Sequence, residues 1–192
     1  GALLMDYVLN HTDLKAIAHP AVVKTVVTSE LGAEIARKKG LAVFSTLTGF
    51  KFIGEKITQF EQAKETDRKE QDYDFVLGYE ESYGYLAGTH ARDKDAVVSS
   101  LLICEMAAYY RSIGSSLKQR MEEIYSEYGR YLNKVDSFEF PGLTGMDKMA
   151  SIMQGLRDNP PTEIGGVKVV KATDYKKTEE TGLPAANVLI YS

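Results

Sequence analysis

The sequence predicts an α/β fold: a three-layer αβα domain with a mostly parallel sheet, followed by a C-terminal helical connecting region. Three observations carry this. From residue 20 onward short β-branched runs alternate with longer amphipathic ones, the pattern of a parallel sheet covered by helices. The first run, Ala21 to Val27, is apolar almost throughout, as a strand buried on both faces must be. Beyond Gly114 the character changes to amphipathic helix and loop, which divides the chain into a domain over 1–114 and a connecting region over 115–192 that leads toward a further domain.

Each element follows from its residues. After the first strand, Ser29 offers an N-cap oxygen to a helix over Glu30 to Lys39, and Gly40 supplies its stop. Leu41 to Ser45 is a second strand. Phe50, Ile53, Ile57 and Phe60 then recur at helical spacing and predict a core-facing helix. Glu65 to Asp72 is charged and reads as a solvated loop; Tyr73 to Leu77 is the third strand, and Gly78 to Asp95 a long loop. The longest helix runs from about Ala96 to Ile113, with Val97, Leu101, Cys104 and Ala108 on one stripe and Val98, Leu102 and Tyr109 beside it. So wide a stripe predicts burial against the sheet. Leu117 to Tyr128 and Asp147 to Arg157 are further helices, Asn159-Pro160-Pro161 stops the latter, and Gly165-Gly166 precedes a strand at Val167 to Val170.

Composition excludes several functions. The formal charge of -4 and pI near 5.5 give no basic stripe for nucleic acid or an anionic membrane. No segment approaches the roughly 20 apolar residues that span a bilayer, and the first residues lack the basic-then-apolar pattern of a secretory leader. The single cysteine, Cys104, lies in an apolar run and predicts a buried thiol in a reducing, cytoplasmic setting. Both ends fall inside element-like patterns, helical at Gly1 to Leu9 and strand-like at Asn187 to Ser192, so the sequence reads as a segment of a longer chain.

In an open parallel sheet the ligand crevice lies beyond the carboxyl ends of the strands. Three strand exits are therefore the places to look: Thr28-Ser29, Thr46 to Lys51, and Gly78 to Tyr85. The third packs two carboxylates, a hydroxyl and three tyrosines into eight residues. Adjacent like charges repel, so Glu80-Glu81 is a poor stabilising device, whereas a carboxylate accepts the hydroxyl donors of a polyol. Glu80 and Ser82, two residues apart, face one side of an extended loop; the alternative is a solvated acidic turn with tyrosines beneath it. Arg92 and Lys94 suit an anion such as a sugar phosphate, and Asp93 or Asp95 suits the cap of the following helix. His90 is a weaker acid or base candidate, and Thr48-Gly49 a second hydroxyl or oxyanion site. The three histidines and one cysteine show no metal-ligand spacing, and nucleotide-cradle motifs are absent. Residues alone thus leave a binding surface without an engine.

Thr46-Leu-Thr-Gly-Phe-Lys-Phe-Ile-Gly54, followed by Gly78-Tyr-Glu-Glu-Ser-Tyr-Gly84 and Arg92-Asp-Lys-Asp95, resembles the third, sugar-binding domain of the α-D-phosphohexomutase family. The resemblance implies a four-domain phosphoglucomutase or phosphomannomutase, with phosphopentomutases of the same superfamily as an alternative. Such enzymes interconvert hexose 1-phosphate and 6-phosphate through a phosphoserine, with magnesium and a glucose 1,6-bisphosphate-type activator. It implies sugar contacts from Glu80, Ser82, Thr48 and Gly49, with Arg92, Lys94 and His90 nearby. Tyr79 stands where many relatives have glycine. The family's serine loop, magnesium loop and C-terminal phosphate loop do not occur in these residues, so no catalytic or metal-ligating residue is expected here. The partners implied are a phosphorylated hexose and the remaining domains of the same polypeptide. A free-standing carbohydrate- or partner-binding module is the competing reading.

Overall fold

A computed structural model describes residues 1–66 and 72–192. The chain divides into two compact units, Gly1–Asn133 and Lys134–Ser192.

The first unit is built on four strands, β1 (Pro20–Thr25), β2 (Ala42–Thr46), β3 (Asp74–Tyr79) and β4 (Tyr85–Ala87), in the order β2-β1-β3-β4. β1 pairs in parallel with both β2 and β3, and only β4, at the edge, is antiparallel. The crossovers lie on opposite faces. α2 (Glu30–Lys38) joins β1 to β2 and packs, with α1 (Ala2–His11) and α5 (Leu117–Tyr128), in a core that includes Met5, Val22, Ile35, Leu77 and Ile124. α3 (Phe50–Glu65) joins β2 to β3 and buries Phe50, Ile53, Ile57 and Phe60 against Ala21, Val23 and Phe75 on the other face. This is the expected three-layer arrangement. Gly78 is required in it, since a Cβ there would stand 2.8 Å from Cγ2 of Ile53, where α3 presses on the backbone of β3.

Three expectations need correction. The strand Tyr73 to Leu77 runs on to Tyr79, and the loop after it contains β4, because the chain turns back at Glu80 to Gly84 and pairs again. The helix Ala96–Ser112, α4, packs through Ser99, Met106 and Tyr110, while Val97 and Leu101 are 80% and 65% exposed. Its wide stripe is therefore only half used, and Cys104 is exposed rather than buried. The reason is placement: α4 lies beside the short edge strand β4 and against α1, not over the centre of the sheet. Finally, the compact unit extends past 114. α5 places Ile124 and Tyr128 in the first core, and its Arg120 forms a paired hydrogen bond to the fully buried Asp6 of α1, at 2.8 and 2.9 Å.

The second unit is less purely helical than a connecting region. It contains α6 (Gly145–Asp158), the antiparallel pair β5 (Glu163–Ile164) and β6 (Val167–Lys168), the pair β7 (Ala172–Asp174) and β8 (Leu189–Tyr191), and the short α7 (Thr178–Thr181). Arg157 ties α6 to this framework by donating to Asp174 at 3.0 Å and Asn187 at 2.7 Å. The charged stretch read as a solvated loop falls largely on 67–71, outside the described residues.

Candidate functional site

β1 and β3 are parallel neighbours whose chains leave in opposite directions: β1 feeds the crossover toward β2, and β3 turns back into β4. That divergence opens a crevice at their carboxyl ends. A cleft of about 340 Å³ lies there, lined by Thr28, Ser29, Tyr79, Glu80, Glu81 and Tyr83 and also by Tyr125 and Tyr131.

The two carboxylates part just past the end of β3: Glu80 faces Ser82 and Lys94, and Glu81 faces Thr25 and Thr28. Glu81 accepts hydrogen bonds from the hydroxyls of Thr25 at 2.7 Å and Thr28 at 3.3 Å, which are themselves 2.7 Å apart. Beneath them lies Lys24, 1% exposed, whose ammonium donates to the carbonyls of Thr25 and Thr28 and pairs with Glu30 at 2.7 Å. A buried ammonium needs such partners. They fix the turn from β1 into α2 and, through its hydroxyls, the position of Glu81. This network was not legible beforehand, because Lys24 sits in an otherwise apolar strand and its partners are set by the fold.

Glu80 is 6% exposed. Its Oε1 accepts from Ser82 Oγ at 2.8 Å and lies 3.6 Å from the Lys94 ammonium. No protein donor among the described residues reaches Oε2. Lys94 also stands 5.7 Å from the ring centre of Phe50, the first residue of α3, whose N-cap is Gly49. Gly84 makes this packing possible, since a Cβ there would lie 2.7 Å from Glu80 Oε1 and 3.0 Å from Lys94 Cδ. Between them Tyr83 sits at the loop tip, 88% exposed and at φ +62°, a left-handed conformation uncommon for a non-glycine residue.

The structure thus brings Glu80, Ser82 and Lys94 together, while Thr48 and Gly49 lie just before α3. It sets the other two candidates apart. Arg92 pairs with Glu61 and donates to Thr58 and to the carbonyls of Thr89 and Ala91, holding the loop after β4 onto α3. His90 lies 2.8 Å from Asp95. Asp95 caps α4, accepting from the N–H groups of Val97 and Val98 at 2.9 Å each. The Val98 N–H and then His90 hold this carboxyl below its usual range. A depressed native value stabilises the fold at pH above the ordinary carboxylate value of about 3.9, and that contribution is lost as the pH falls through the native one. Asp95→Asn is therefore expected to flatten the acid limb of stability against pH, measured by urea unfolding between pH 7 and pH 3. An unchanged limb would contradict the role of the ionised cap.

The donor set does not suit a magnesium ion. Among the described residues no three His, Cys, Asp or Glu side chains come together, and Glu80 is already opposed by a lysine.

Residues 1–128 match the family model for the phosphoglucomutase/phosphomannomutase alpha/beta/alpha domain III. The chain belongs to the phosphoglucomutase/phosphomannomutase family. It is 36% identical over 179 residues to a phosphoglucomutase of Staphylococcus aureus (strain MSSA476), covering 93% of this chain and 30% of that protein. To the phosphoglucomutase of Staphylococcus haemolyticus (strain JCSC1435) it is 35% identical over 199 residues, covering 98% of this chain and 34% of the relative. The chain thus spans about a third of the length of these curated relatives. The fold is shared with the open form of Paramecium pp63/parafusin, a phosphoglucomutase, at a TM-score of 0.58 and 19% identity, over 99% of this chain and 30% of that one.

Proposed function

We propose that this chain is the sugar-recognising part of a longer phosphohexomutase, an enzyme that interconverts hexose 1-phosphate and 6-phosphate. The observation that carries the reading is the Glu80–Ser82–Lys94 cluster just past the end of β3, with one carboxylate oxygen of Glu80 held and the other open. A carboxylate so fixed accepts a hydrogen bond from a sugar hydroxyl without first losing rotamer freedom. The Ser82 oxygen, its proton donated to Glu80, adds a second acceptor, and the Lys94 ammonium lends positive potential to a phosphate or to a polarised hydroxyl. In this reading Thr48 and Gly49 line the same cleft, as the family resemblance implies. Arg92 and His90, engaged in the β4–α4 loop, support that loop. Glu80 and Glu81 diverge, which disfavours a glycosidase pair acting on one bond.

Phosphoryl transfer needs charge neutralisation and an activated phosphate carrier. In this proposal both, and the magnesium that assists them, are held by other parts of the longer polypeptide, and the 192 residues alone turn over no substrate. With one wall of the site present, the expected affinity for glucose 1-phosphate is millimolar, on the order of -4 kcal/mol. Amide shifts in an NMR titration of the 192-residue chain should be confined to 48–51, 78–84 and Lys94. Shifts elsewhere, or none at saturating ligand, would sink the reading. Micromolar binding would favour a free-standing module instead.

A further inference from the structure

We propose that Arg92 is a positioning residue for the sugar site: through the loop between β4 and α4 it sets where Lys94 stands, and through Lys94 it holds the carboxylate of Glu80. The inference deepens the proposed function and rests on Glu80 and Lys94 serving the sugar.

Arg92 spends its guanidinium on the loop and on α3. Nε donates to the Thr58 hydroxyl at 3.3 Å, one terminal nitrogen donates to the carbonyls of Thr89 and Ala91 at 2.7 and 3.1 Å, and the other pairs with Glu61. The Thr58 oxygen is free to accept because its own proton goes to the Gly54 carbonyl at 3.2 Å, one turn earlier in α3. Gly54 also admits the loop itself. A Cβ there would stand 2.2 Å from the Arg92 carbonyl oxygen, so the loop backbone lies directly on the helix only because residue 54 has no side chain. Guanidinium and notch together hold one end of the stretch Arg92-Asp93-Lys94-Asp95. The other end is held by β4 and α4: the Asp95 N–H donates to the Tyr85 carbonyl at 2.8 Å, and the Asp95 carboxylate caps α4.

Lys94 stands between these two anchors, half exposed, with its ammonium 3.6 Å from Glu80 and 3.4 Å from Asp93. A flexible four-carbon stem fixes no position of its own. Where the ammonium stands relative to Glu80 therefore depends on where the loop sets the Lys94 backbone. Fold stability is the poorer account of so many contacts. The Arg92 and Glu61 side chains are both well exposed, and such a pair contributes little to folding. A planar fork that gathers two loop carbonyls and a helix hydroxyl fixes geometry instead.

The experiment is a double-mutant cycle on kcat/KM for glucose 1-phosphate in the full-length polypeptide, with Arg92→Ala, Lys94→Ala and the two combined. Arg92→Ala should lower kcat/KM by about tenfold, mainly through KM, since a small misplacement of a binding group costs on that order. Its thermal unfolding midpoint should match that of the parent. In the Lys94→Ala background the same substitution should cost less than about twofold, because its effect travels through the missing ammonium. Arg92→Lys keeps a charge facing Glu61 but loses the fork, and should lose nearly as much as Arg92→Ala. Gly54→Ala displaces the loop from the other side and serves where Arg92→Ala fails to fold; its loss should likewise vanish without Lys94. Equal losses with and without Lys94, or Arg92→Lys at parental kcat/KM, would overturn the proposal. Arg92→Ala at parental kcat/KM while Lys94→Ala is impaired would overturn it too, and would leave the sugar site standing. Lys94→Ala at parental kcat/KM would instead bring down the reading of the Glu80 cluster, and this inference with it.

Discussion

Arg120→Ala is expected to destabilise the first unit by about 3–5 kcal/mol, the cost of removing one partner from a buried ion pair. The guanidinium of Arg120 donates to both oxygens of Asp6, whose side chain is fully buried, and is held above its ordinary value chiefly by that hydrogen bond. Asn10 and Tyr110 also donate to Asp6, at 3.0 and 3.3 Å, but both are neutral. Without Arg120 the carboxylate remains in the core with no opposing charge, and three helices, α1, α4 and α5, lose their common tie. Against a typical domain stability of about 5–15 kcal/mol, that loss is large enough to populate the unfolded state in mild urea. The measurement is the circular-dichroism midpoint in urea. The double variant Asp6→Leu, Arg120→Leu should recover much of the loss, since it removes the buried charge along with its partner. A single variant as stable as the parent would show that the pair is solvated and the helices are held by packing alone.

The same pair marks where sequence reasoning reached its limit. Period and caps are local, so α3 was legible from Phe50, Ile53, Ile57 and Phe60, and α5 from its amphipathic run between Leu117 and Tyr128. Asp6 in Leu-Leu-Met-Asp-Tyr gives no sign of a partner 114 residues away, and so the assignment of α5 to the first unit could not be made from pattern. α4 failed for a related reason. Its apolar content was read correctly, but a sequence does not say whether a stripe meets this sheet or some other surface. At the site, the i, i+2 spacing of Glu80 and Ser82 gave a reason to group them, and in the structure Ser82 donates to Glu80 at 2.8 Å within a turn. What was illegible was the buried support: Thr25 and Thr28, underpinned by Lys24, reach Glu81 only because β1 and β3 are neighbours.

That support gives the two carboxylates different expected phenotypes in the full-length enzyme. Glu80→Ala should lower kcat/KM by about 10- to 100-fold, because a hydrogen bond to a charged group contributes about 1.5–3 kcal/mol and each 1.4 kcal/mol is a factor of ten. The fold should persist, since the departing carboxylate leaves Lys94, half exposed, in contact with water. Glu80→Gln keeps an acceptor oxygen and should lose less. Ser82→Ala should lose less again, because Lys94 still holds Glu80. Glu81 behaves otherwise: its oxygen is spent on Thr25 and Thr28, so Glu81→Ala should loosen the turn and lower the unfolding midpoint as well as the activity. Steady-state kinetics and thermal unfolding of the four variants separate these roles. If Glu80→Ala leaves kcat/KM unchanged while Glu81→Ala abolishes it in a stable protein, the carboxylate that meets the sugar is Glu81, and the crevice is read from the wrong side of β3.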